Sequence, residues 1–215
     1  MLIRKKHVRL SFIWVLVNFV GITTGTLVAF FLYALLTLNH NGVALGSSEL
    51  LVRLAICGAV QGFIVSVLQT MAFVLTKCKL VKWLMTNMLS MSVGMVLPTA
   101  YGIALQTNFQ VNSPFDQYVM AGWIVSWLLA GAFGGMVLGE TAAQKIRWGV
   151  LNAAAYLYWG VAAALGMRLL GIALYNMPTL SSGWMTSFGG LTLLLAMGAW
   201  LHSYVFRGVV RLKRH

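Results

Sequence analysis

Six apolar segments, each long enough to cross a bilayer, decide what this chain can fold into. They run from Ser11 to Leu38, Leu50 to Leu75, Trp83 to Leu105, Tyr118 to Leu138, Trp148 to Leu174 and Gly183 to Phe206. About 20 apolar residues at 1.5 Å rise each cover the roughly 30 Å of hydrocarbon. The segments are apolar on both parities, which excludes the alternation of a transmembrane barrel strand. Only 8% of the 215 residues are charged, against about 25% in soluble domains, and the mean hydropathy is +0.86. So few charges cannot coat a surface that faces water. The expectation is an all-α polytopic membrane bundle of six transmembrane helices in a single domain, residues 1–215. The first segment far exceeds the roughly 7–15 residues of a signal-peptide core, so it reads as a retained helix.

The charges then orient the chain. There are 15 Lys and Arg against 3 Asp and Glu, a net charge of +12. The basic residues sit in short runs between apolar segments, which is a topology signal and not a nucleic-acid surface. The basic stretches are Arg4 to Arg9, Lys77 to Lys82, Lys145 and Arg147, and Arg207 to Arg214. The alternate connections Asn39–Glu49, Gln106–Gln117 and Tyr175–Ser182 carry no Lys or Arg. Six crossings put every basic stretch on one side, which the positive-inside rule makes cytoplasmic. The chain is therefore expected in the cell membrane or a comparable internal membrane, with both termini cytoplasmic. Arg53 and Arg168 fall near the outer ends of their segments, where long side chains snorkel. Anionic lipid headgroups are the expected partners of the basic face, with other membrane proteins a further possibility and nucleic acid none.

An internal repeat is superimposed on this pattern. Trp14-Val-Leu-Val-Asn18, Trp83-Leu-Met-Thr-Asn87 and Trp148-Gly-Val-Leu-Asn152 share the form W-x-x-x-N, at spacings of 69 and 65 residues. Each copy opens an odd-numbered segment just after basic residues. Three parallel helical hairpins are expected, roughly 11–75, 83–138 and 148–206, related by a pseudo-threefold axis along the membrane normal if they pack symmetrically. Small-residue stripes accompany the repeat: Gly21 and Gly25, Gly58 and Gly62, and Gly131, Gly135 and Gly139. Glycines four apart share a helix face and let backbones approach closely.

The stretch Gly58-Ala-Val-Gln-Gly62 through Gln69, followed by the basic Lys77, Lys79 and Lys82 and then Trp83, resembles functionally uncharacterised bacterial multi-pass membrane proteins built from repeated Gly-rich/Gln hairpins. The resemblance covers about the middle third of the chain. It implies architecture and no activity. The equivalent glutamine is missing from the fourth segment, where Gly134 and Gly135 stand. The proline-acid-basic signature of six-helix mitochondrial carriers is absent.

Few residues offer chemistry. Trp14, Trp83 and Trp148 read as an interfacial aromatic belt or, less simply, a headgroup site. One turn deeper, Asn18, Asn87 and Asn152 each need a partner, either a neighbouring helix or a polar cavity. Gln61 and Gln69 lie two turns apart on nearly one face and pose the same choice. The segments show no acidic residue at mid-depth, which argues against proton or ion coupling. Of the four histidines only His202 falls in a segment, so no metal or haem ligand set forms. No P-loop, G-x-S-x-G, H-E-x-x-H or dinucleotide glycine pattern occurs. The chain is thus expected to be no enzyme and to carry no cofactor. Two readings stay open: a non-catalytic subunit or scaffold packing with membrane proteins or lipids, and a channel or facilitator for a small uncharged solute. They differ in whether the asparagines line a wet axis or are satisfied in dry helix contacts.

Overall fold

A computed structural model describes residues 2–38, 47–70, 77–105 and 117–175. They form five helices: α1 (Leu2–Leu38), α2 (Ser47–Thr70), α3 (Lys77–Leu105), α4 (Gln117–Leu138) and α5 (Ala142–Tyr175). Among the described residues there is no strand. The sixth apolar segment, Gly183 to Phe206, lies outside them. Four of the helices are long and apolar enough to cross a membrane, at Leu16–Tyr33, Ser48–Thr70, Lys79–Leu105 and Gln117–Leu138. The protein is therefore a membrane-embedded helical bundle.

All five helices begin earlier than the apolar segments, and α1, α3 and α5 do so by six residues or more. The basic residues expected in loops stand on helical turns instead: Arg4 to Arg9 in α1, Lys77, Cys78, Lys79 and Lys82 in α3, and Lys145 and Arg147 in α5. Hydropathy changes where a helix leaves the bilayer. The backbone has no reason to stop there, because Lys and Arg are good helix formers.

The start of α5 is fixed by a capping box. Thr141 Oγ1 accepts from the Gln144 backbone N–H at 3.2 Å. Gln144 Oε1 in return accepts from the backbone N–H of Thr141 at 3.2 Å and of Glu140 at 3.1 Å. The reciprocal pairing satisfies donors that an open helix end leaves bare. The resulting turn between α4 and α5 is short, and Glu140 in it reaches Lys79 at the start of α3, 3.5 Å away.

Successive helices pack antiparallel, each mainly against the next in the chain. Small residues set how closely. A Cβ on Gly58 would lie 2.5 Å from the Met91 carbonyl oxygen, and one on Gly62 would lie 2.7 Å from that of Asn87, so α2 rests on the α3 backbone. Gly131 and Gly135 do the same for α4 against α5, at 2.6 Å from the Asn152 oxygen and 2.5 Å from the Trp148 oxygen. Van der Waals packing of this kind drives helix association where lipid tails remove the hydrophobic advantage. Pro98 sits inside α3.

Among the described residues, two buried clusters fill the interior. One joins Phe30 and Tyr33 of α1, Leu54 and Cys57 of α2, Met95 of α3 and Trp123 of α4. The other joins all five helices through Ile22, Val65, Met91, Trp127, Ala130, Tyr156 and Trp159. Outside, apolar side chains face away from the bundle. On α3 the exposed residues Val81, Met85, Leu89, Val93, Leu97, Tyr101 and Leu105 recur every fourth position. A four-residue step overshoots a 3.6-residue turn by about 40°. The lipid-facing strip therefore winds around α3.

Candidate functional site: a buried polar layer

All five polar positions singled out in the segments lie inside the bundle. Asn18, Gln61 and Gln69 have no exposed surface, Asn87 is 1% exposed and Asn152 6%. None faces lipid, as expected for amides whose desolvation must be offset by hydrogen bonds.

The first asparagine bonds across helices. Gln69 Nε2 of α2 donates to Asn18 Oδ1 of α1 at 2.7 Å. The same amide nitrogen also donates to the Tyr156 hydroxyl of α5. One side chain therefore ties three helices, using both of its N–H groups. Two turns earlier, Gln61 Nε2 donates to Thr26 Oγ1 at 3.2 Å. The two glutamines share a face, as their spacing implies, and that face is the one toward α1.

The other two asparagines bond along their own helices. Asn87 Nδ2 donates to the Trp83 carbonyl and Asn152 Nδ2 to the Trp148 carbonyl, both at 3.1 Å. In these copies the W-x-x-x-N unit is a local device: the amide folds back four residues along its own helix. Asn87 points its other end at α4, where a Cβ on Gly134 would lie 3.0 Å from Oδ1. Asn152 lies against α4 as well, its Nδ2 3.0 Å from a Cβ placed on Gly135. The backbones of α2 and α3 meet at Gly62 and Asn87, whereas Asn18 meets α2 at Gln69. Along α2 the two levels are two turns apart, about 10 Å.

The tryptophans also take inward places. Trp83 is 2% exposed and Trp148 6%. A belt residue turned to the headgroups would be open on one side. Here the Trp83 ring lies on α4, 3.4 Å from a Cβ placed on Gly134. The side chain of Trp14 lies outside what is described. Tyr156, Thr26 and Ser66 were not singled out in the sequence. Only Tyr156 left a signal: it follows Asn152 by four residues and so shares its helix face.

Chemically the layer consists of neutral amides, hydroxyls and indoles. Arg53 and Glu49 pair with each other one turn apart, at the end of α2 away from this layer. Among the described residues no three His, Cys, Asp or Glu side chains gather as a metal site would require. No family model matches the chain, and neither a curated protein nor a solved structure is significantly similar to it.

Proposed function

We propose that this protein is a non-catalytic subunit or scaffold of a membrane assembly, packing with other membrane proteins or lipids. The observation that carries the reading is the Asn18–Gln69–Tyr156 network. A solute path needs amides presented to a shared wet axis. Here the Gln69 Nε2 group and Asn18 Oδ1 link α1, α2 and α5, and the Nδ2 groups of Asn87 and Asn152 bond their own helices. The continuous apolar strip on α3 supports the same reading, since it offers lipid or a partner helix a surface along the whole span.

In this proposal the chain crosses the membrane six times. The 34-residue α5 and the segment from Gly183 to Phe206 form the third hairpin after α1–α2 and α3–α4. The helix starts that carry Arg4 to Arg9, Lys77 to Lys82, and Lys145 and Arg147 lie in the cytoplasm, where they attract anionic headgroups.

The test is purification from native membrane in mild detergent after in-membrane crosslinking, with partner and lipid identification. The proposal expects a defined protein partner or a retained anionic lipid. Solute flux into proteoliposomes containing the purified chain alone, with no partner recovered, would contradict it and favour the facilitator reading.

A further inference from the structure

The Gln69 amide nitrogen is fully used, but its oxygen is not. Gln69 Oε1 is buried and has no hydrogen-bond partner among the described residues, and the same holds for Ser66 Oγ and Trp127 Nε1. These three atoms belong to one neighbourhood. Ser66 is one turn before Gln69, so the two side chains are neighbours on the surface of α2. The Tyr156 hydroxyl bonds Gln69, and its ring lies on the Trp127 ring with centroids 5.6 Å apart. Val65, next to Ser66, belongs to the same buried cluster as Trp127 and Tyr156.

The set is chemically complementary: an acceptor, a hydroxyl that works either way, and an indole donor. Burying all three unbonded would be costly, because each loses its bond to water without replacement. We propose that an ordered water sits between α2, α4 and α5. It accepts from Trp127 Nε1–H and donates to Gln69 Oε1, with Ser66 Oγ as its third partner. Three bonds is the usual complement of an internal water. Gln69, Ser66 and Trp127 have no exposed surface, so the site is closed to a lipid chain or detergent. The site is a fixed part of the bundle, independent of which partner the protein meets.

X-ray hydroxyl-radical footprinting of the full chain in nanodiscs, in ¹⁸O-labelled water, tests this. Radicals formed from a bound water label the side chains around it even when those are buried. Trp127 and Tyr156 should be oxidised several-fold faster than Trp123, which is equally buried in the other cluster. Gln69→Met should bring both down to the Trp123 rate. Ser66→Ala, which leaves the α1–α2–α5 bonds in place, should lower the rate if Gln69→Met does not fold. Labelling of Trp127 and Tyr156 no faster than of Trp123 would overturn the proposal. So would labelling unchanged in the folded variants.

Discussion

Gly134 faces the side chain of Asn87 across the α3–α4 contact, with a Cβ built on the glycine falling 3.0 Å from Oδ1. In the first hairpin the corresponding asparagine, Asn18, faces Gln69 and bonds it. Two asparagines in the same W-x-x-x-N setting thus meet different residues: Asn18 a glutamine that donates to it, Asn87 a glycine that makes room. Asn87 compensates by donating to its own helix.

Glycine substitutions should separate according to what they meet. At Gly135 a methyl group would meet the Trp148 carbonyl oxygen at 2.5 Å, and at Gly94 it would run into the Ser126 backbone. Gly135→Ala and Gly94→Ala should each cost about 1–3 kcal/mol, the usual range for overpacking. Gly21→Ala meets Leu68 Cβ at an ordinary 3.4 Å and should stay within about 0.5 kcal/mol. Reversible unfolding in mixed micelles checks the order. Equal effects at all three sites would mean that the close approaches of α3, α4 and α5 are not where stability lies.

The topology proposed from the charges can be tested by labelling. In a background without Cys57 and Cys78, a single cysteine at Lys79 should be shielded from an impermeant thiol reagent added outside intact cells. One at Asn112 should react. Equal labelling at the two positions contradicts the six-crossing orientation.

The basic end should also select lipid. Lys79 and Lys82 stand on the first turns of α3, with Lys77 before them. Each charge near an anionic surface contributes about 1 kcal/mol. Replacing Lys77, Lys79 and Lys82 together by Gln should lower the anionic lipid retained after purification, read by mass spectrometry. Unchanged lipid content would remove this end of α3 from headgroup binding.

Much of this was legible in the sequence, and the limits have physical causes. The polar positions stood out because an amide in an apolar run has few acceptable surroundings. Asn18, Gln61, Gln69, Asn87 and Asn152 are all buried. Gln61 and Gln69, nearly on one face by their spacing, both donate to residues of α1. Helix starts were not legible, because hydropathy reports where the bilayer ends and not where the backbone uncoils. Azimuth was not legible either. Trp83 and Trp148 sit where a belt would be expected along the helix axis, yet their rings turn inward. Nor could spacing tell which asparagine oxygen would receive a bond from another helix, as Asn18 Oδ1 does from Gln69. That choice depends on the facing residue, glutamine or glycine, and so on the register between helices.

The central claim is that these amides hold helices together. A double-mutant cycle on Asn18 and Gln69 tests it most directly, using Asn18→Leu, Gln69→Leu and the double variant, with unfolding free energy as the readout. The account predicts a favourable coupling of about 0.6 kcal/mol, up to about 1.7, the range found for hydrogen bonds between membrane helices. Additive effects, with no coupling between the two residues, would contradict it.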